Sequence, residues 1–154
     1  MKVDKNGGHS SLAAYCKKDD DIQMHDSIAL CVVMMPRDSN VYGTIFGGII
    51  LSYIDQAGFI EARKHGSHRW VTASIEKVDF QQPVFVGDVV RFYTKTLKTG
   101  SSSVVIEIIV ESERFDSADR IDVTNAILTM VSVDERGNAI PFDSPPTSCN
   151  KAPE

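Results

Sequence analysis

Cysteine is scarce in this chain: Cys16, Cys31 and Cys149 are odd in number, far apart and without a CxxC pair. That excludes a disulfide framework, offers no zinc site and points to free thiols in a reducing compartment, the cytoplasm. A surplus of positive charge is missing as well. The formal net charge of -5 argues against a nucleic-acid binder with a broad basic surface. It leaves room for a local basic patch on one phosphorylated ligand. Long apolar runs are also absent near the start, where Met1 to Cys16 holds only Leu12-Ala13-Ala14, too little for a secretory signal. His9 and His25 show no metal-ligand spacing, so no metal is expected. No repeat and no internal linker divides the 154 residues, a length that makes one domain with a sizeable core.

What is there centres on residues 38–65. From Ile45 to Ile60 the one formally charged side chain is Asp55. Phe46, Ile49, Ile50, Tyr53, Ile54, Ala57 and Ile60 recur at three- and four-residue spacing and share one helical face. The other side carries Leu51, Ser52, Gly58, Phe59 and Ala62, so the pattern predicts a helix apolar nearly all round and buried in a core. With 16 residues and an acid inside, it is too short and too polar to span a membrane. Glu61, Arg63, Lys64 and His65 followed by Gly66 supply a polar last turn and a stop.

A lone carboxylate in such a helix must be hydrogen-bonded, protonated or beside a solvent-filled pocket. Asp55 is therefore either a structural acid tying down a backbone donor or a working group. Gly43 and the pair Gly47-Gly48 favour the second, because they put bare backbone at the helix start. Free N–H groups and the positive dipole end there can hold an anion or a developing oxyanion.

The flanks read as strands. Residues 1–26 are polar and mixed in charge, a loosely attached arm. Ser27 to Met35 is a short apolar strand stopped by Pro36. Trp70–Phe80, Asp88–Leu97, Ser102–Glu113 and Ile121–Val133 follow as strands, with Lys98-Thr99-Gly100-Ser101 as a hairpin turn. Residues 143–154, with two of the prolines adjacent, read as an irregular tail, leaving 27–142 as the domain. One helix followed by about four antiparallel strands gives an α+β fold, with a sheet curled around the helix.

Several stretches resemble the hotdog-fold acyl-CoA thioesterases. They are Asn40-x-x-Gly43-Thr44-x-Phe46-Gly47-Gly48, Tyr53-Ile54-Asp55, Val71-Thr72-Ala73-Ser74, Val78-Asp79-Phe80, Pro83-Val84, Gly87-Asp88 and Gly100-Ser101-Ser102. They stand in the family's order between about Val32 and Pro141, and are most similar to the acyl-CoA hydrolase branch. The resemblance implies an antiparallel sheet around one long central helix, a homodimer with a joined sheet, and often a trimer of dimers. It implies sites at the dimer interface, the glycine loop of one subunit facing the acid-bearing helix of the other. Many relatives carry a carboxylate where this chain has Thr44. Others have threonine there and rely on the helix acid, and this chain resembles that second set.

The activity implied is hydrolysis of an acyl-CoA thioester to free fatty acid and CoA, with no cofactor beyond the CoA of the substrate. The Gly47 or Gly48 amide polarises the carbonyl, Asp55 acts as general base or as nucleophile, and Asn40 or Thr44 orients the water or the carbonyl. There is no GxSxG run, and the family uses no triad. Thr72, Ala73 and Ser74 resemble the strand beside the pantetheine arm. Lys98, Ser101 and Ser102 suit the phosphates, or are simply a solvated hairpin tip. Arg63, Lys64, His65 and His68 read as a surface helix end, and Trp70 as a core or interface aromatic. Two other functions share the fold: a non-catalytic acyl-CoA binding module, and an enoyl-CoA hydratase. The second usually wants an Asp–His pair, and no histidine lies near Asp55 before His65.

Overall fold

A computed structural model of the chain describes residues 27–145; the expected arm and the tail from residue 146 lie outside the described residues. The elements run β1 (Ser27–Val33), α1 (Gly47–Ala62), β2 (Arg69–Glu76), β3 (Val89–Thr99), β4 (Ser103–Glu113) and β5 (Arg120–Val133). The five strands form one antiparallel sheet in the order β1-β3-β4-β5-β2, and α1 lies across one of its faces. This is the hotdog arrangement expected from the sequence.

Period-two alternation decides which face meets the helix. Val90 and Phe92 of β3, Val104, Ile106, Ile108 and Val110 of β4, and Ala126, Leu128 and Met130 of β5 are all buried with Ile50, Ile54 and Ala57 of α1. The contact is close. A Cβ on Gly58 would lie 1.9 Å from Leu128 Cδ2, so only glycine lets the helix sit this low on the sheet.

The helix is not buried all round, contrary to the expectation from its composition. Ile50, Ile54, Ala57, Gly58, Glu61 and Ala62 face the sheet, whereas Ser52, Asp55, Gln56, Phe59 and Ile60 are exposed. One five-stranded sheet covers one side of a helix, and nothing within the described chain covers the other. Phe59 and Ile60 are the large apolar side chains left on that open side, beside Ser52, Asp55 and Gln56.

Three boundaries moved. The helix starts at Gly47 because the Ile45 amide is committed to the Val84 carbonyl at 2.8 Å. β2 stops at Glu76 instead of Phe80 because Lys77 turns the chain with φ 58°. The segment that follows crosses the helix start, where Phe80 packs on Gly47. The β3–β4 turn falls later than expected: β3 runs to Thr99, with a bulge between Thr96 and Lys98. β1 and β2 are the sheet edges; the bulge in β2 leaves Val71 exposed on the outer face, opposite Val131, and Ile75 exposed on the helix face, opposite Leu128.

Buried polar groups hold the two ends. Asp88 takes Ser112 Oγ at 3.0 Å, Arg114 Nη1 at 2.5 Å and the Phe85 amide at 3.1 Å. Arg114 also donates to the Pro83 carbonyl at 2.9 Å, which pins the crossing segment against the sheet end. At the other end, Glu61 accepts from Thr94 Oγ1 at 2.8 Å, Thr96 Oγ1 at 3.0 Å and Lys64 Nζ at 2.5 Å. Burial pushes the Glu61 carboxyl up, but these three donors outweigh it and hold its pKa below the ordinary value.

Candidate active site

The loop before α1 is built by Asn40. Its Oδ1 accepts the Tyr42 amide at 2.9 Å and the Thr44 amide at 3.3 Å, while its Nδ2 donates to Thr44 Oγ1 at 2.8 Å. Gly43 turns the loop with φ +79°, a conformation that favours glycine. The Asn40 side-chain carbonyl oxygen and one of its two N–H groups are thereby spent on the loop. Thr44 Oγ1 accepts one of those bonds and keeps its own proton to give.

The loop delivers Gly47 and Gly48 as the first two residues of α1. The preceding Phe46 makes no side-chain cap, so their N–H groups are left for a ligand at the positive end of the helix. The two glycines differ. A Cβ on Gly47 would come within 3.3 Å of the Phe80 ring, whereas one on Gly48 would meet nothing within 4 Å. Beside Gly47 lies a cavity of 320 Å³ walled by Ile45, Ile50, Phe80, Pro83 and Val84, with Thr44, Gln81 and Gln82 as its polar members.

Asp55 sits further along the same helix, exposed and not enclosed as its apolar neighbours in sequence suggested. Its Oδ1 accepts the hydroxyl of Thr72 on β2, and that hydroxyl also lies 3.2 Å from Met130 Sδ. Thr72, expected beside a pantetheine arm, is the β2 residue that bonds the acid. Seven residues separate Gly48 from Asp55, two helical turns, so both look out of the same exposed side. At about 1.5 Å of rise per residue they stand about 10 Å apart along the axis, too far to act on one carbonyl.

Ala73 and Ser74 lie on β2, with Ser74 Oγ 3.4 Å from Glu76 Oε1. Lys98 and Ser101 are exposed and Ser102 half-buried at the β3–β4 turn. His65 bonds Thr96 at 2.9 Å, which puts the far end of α1 at that turn. Within one chain, Lys98, Ser101 and Ser102 are therefore at the opposite end from the glycine pair. The Ser102 carbonyl accepts the Ser132 amide at 2.8 Å, a structural use of the turn.

Some readings of single residues change. Glu61, read as part of a polar last turn, is 6 % exposed and carries the network described above. His68 is buried too, 2.9 Å from the Phe142 carbonyl and edge-on to Trp70. Trp70 is a core residue whose Nε1 donates to the Gly66 carbonyl at 3.0 Å. Glu61 was legible: it stands four residues after Ala57 and seven after Ile54, on the buried face. Gln81 and Gln82 carried no signal, because only the turn at Lys77 brings them to the helix start.

The family model for the thioesterase superfamily matches residues 42–114, the stretch from the glycine loop to the end of β4. An uncharacterized acyl-CoA thioester hydrolase of Haemophilus influenzae is 39% identical over 115 residues, 73% of this chain and 75% of the relative. The chain belongs to the hotdog-fold acyl-CoA thioester hydrolases. The acyl-CoA thioester hydrolase YciA of Salmonella typhimurium is 37% identical over 118 residues, 75% of this thioesterase and 89% of that protein. The crystal structure of a hexameric hotdog fold thioesterase of Campylobacter jejuni superposes with a TM-score of 0.71 at 44% identity, covering 75% of this chain and 89% of its own. Among the described residues no helix of this thioesterase is long and apolar enough to cross a membrane.

Proposed function

We propose that this acyl-CoA thioesterase hydrolyses its substrate in a site shared by two copies, the glycine loop of one facing Asp55 of the other. The observation that carries this is the separation of Gly48 and Asp55 on one exposed helix side. Each half of the chemistry is present and aimed outward, and neither reaches the other within a chain. Two copies joined through the free edges of β2 would cover Phe59, Ile60 and Ile75, which share the helix face, together. The hexameric Campylobacter jejuni thioesterase supports further association, three such dimers in one assembly.

In the proposed mechanism the thioester carbonyl accepts from the Gly47 and Gly48 amides, with the Thr44 hydroxyl as a third donor to the carbonyl or the water. Thr72 holds one Asp55 oxygen, leaving the other to act. As general base, Asp55 takes a proton from water while its oxygen adds to the carbonyl carbon. Collapse breaks the C–S bond, the proton passes to the departing CoA sulfur, and the free acid remains. As nucleophile, Asp55 instead displaces CoA and water cleaves the resulting anhydride. Asn40 acts through Thr44 and the loop. Lys98, with Ser101 and Ser102, meets the CoA phosphates, and Ala73 and Ser74 flank the pantetheine arm.

Thiol release from a panel of acyl-CoAs tests the reading. Turnover by wild type that Asp55→Asn lowers by about 10²–10⁴ supports it, in line with a positioned acid–base group. Tight CoA binding with no thiol released by wild type would make the protein a binding module. Single turnover in ¹⁸O-water identifies an anhydride opened at the Asp55 carbonyl: the label then stays on Asp55 and the released acid carries an unlabelled Asp55 oxygen, whereas direct attack by water labels the acid and leaves Asp55 unlabelled.

A further inference from the structure

Asp88 and Arg114 take no part in the steps above, yet both reach the segment on which the glycine loop is docked. We infer that Arg114 is a positioning residue for the reaction: its guanidinium, seated on Asp88 and bonded to the Pro83 carbonyl, fixes residues 83–85 and through them the Gly47 and Gly48 amides of its own copy; the inference rests on the shared-site reading.

The contacts form one chain. Thr44 and Phe85 make an antiparallel bridge, and the Ile45 amide donates to the Val84 carbonyl at 2.8 Å. Ile45 stands two residues before Gly47, so the place of Val84 sets where α1 begins and where its first free N–H groups point. Residues 83–85 are held in turn from the sheet end. Arg114 Nη2 donates to the Pro83 carbonyl at 2.9 Å, and the Phe85 amide donates to Asp88 Oδ2 at 3.1 Å. The same guanidinium lies over the Phe85 ring, 4.7 Å from its centre. The segment belongs to neither β2 nor β3, so these side chains do for it what a ladder does for a strand.

The brace itself is stiff. Asp88 is 2 % exposed and also accepts from Ser112 Oγ, and Arg114 follows directly on the last residue of β4. The geometry uses both arms of the fork, Nη1 on Asp88 and Nη2 on the Pro83 carbonyl. A lysine ammonium is a compact point charge that does not reproduce that planar fork. Oxyanion donors work by standing in place before charge develops, and a misplacement of about 1 Å can cost about a hundredfold in rate. Asp55 is outside the reach of this brace: it stands two turns further along α1 and is held by Thr72 of β2. Damage at Arg114 therefore falls on one half of the shared site.

The test is Arg114→Lys, with kcat, KM and Tm measured together. kcat should fall about tenfold to a hundredfold with KM little changed, the pattern of an interaction made in the transition state, while Tm drops only a few degrees. Mixed dimers then show which half of the site was hurt. Refolded in equal amounts with Asp55→Asn, Arg114→Lys should recover about a quarter of wild-type activity, because one site of each mixed dimer joins an intact loop to an intact acid. Refolded with Gly48→Pro it should gain nothing beyond its own residual turnover, because both changes strike the loop. A purely structural role would harm the acid-bearing half of the same chain as well and give recovery with neither. That result, or an unchanged kcat beside a lowered Tm, overturns the inference and leaves the hydrolase standing. If Gly48→Pro and Asp55→Asn fail to complement each other, the shared site is wrong, and the kcat and Tm of Arg114→Lys decide its role alone. Should Arg114→Lys not fold, Phe85→Leu takes its place, since it removes the ring beneath the guanidinium at a position 41 % exposed.

Discussion

Replacing Glu61 tests whether the far end of α1 is held as described. Its carboxylate, 6 % exposed, collects Thr94, Thr96 and Lys64. The Lys64 side chain is half exposed, so that pair adds little, within the ~0–1 kcal/mol of surface pairs. The two threonine bonds are to a buried charge, and each contributes about 1.5 kcal/mol at the low end of that class. Glu61→Ala should therefore cost about 3 kcal/mol, a Tm drop of about 10 °C for a domain of this size. Urea unfolding at fixed protein concentration measures it, since association would otherwise shift the curve. The pH dependence carries the sign. A folded pKa below the unfolded one means stabilisation that is present above the unfolded value and is lost as pH falls through the folded value. Wild type should lose stability over that acidic window, and Glu61→Gln should lose less. A Glu61→Ala cost under about 1 kcal/mol, at the low end for buried hydrogen bonds, would refute the reasoning.

Other perturbations follow from single contacts. Gly58→Ala drives a Cβ into Leu128, and unfolding should show a loss of about 1–3 kcal/mol from overpacking. Thr72→Val leaves Asp55 without its hydroxyl donor; kcat should fall about tenfold, the worth of one such bond, with KM little changed, and Thr72→Ser should recover most of it. Val71→Lys on the free edge of β2 should give smaller species by sedimentation, with activity lost in proportion, because a charged edge resists strand pairing.

The sheet-facing half of the molecule was legible because its signals are local. Val104, Ile106, Ile108 and Val110 alternate, Ile50, Ile54 and Ala57 keep helical spacing, and one packed layer satisfies both. The open side of α1 misled because Phe59 and Ile60, flanking an otherwise apolar run, look like core by composition, yet the chain's own sheet does not cover them. Asn40, Thr44, Gly47 and Gly48 stood in one recognisable run, and the loop does bring them together. The role of Asn40 was not readable, since its bonds to the Tyr42 and Thr44 amides exist only once Gly43 has turned. His68 depended on Phe142, more than seventy residues away, and the end of β2 on the backbone of Lys77. Such long-range and positive-φ effects leave little trace in periodicity.

Complementation between two inactive variants is the most direct test of a site shared by two copies. Gly48→Pro removes one amide donor at a position where added atoms meet open space, in the first helical turn that tolerates proline. Asp55→Asn removes the acid. Each alone should be nearly inactive. Unfolded and refolded together in equal amounts, they should recover about a quarter of wild-type activity, because half the dimers are mixed and each mixed dimer regains one of two sites. Activity of the mixture no higher than the average of the two variants alone would contradict the account.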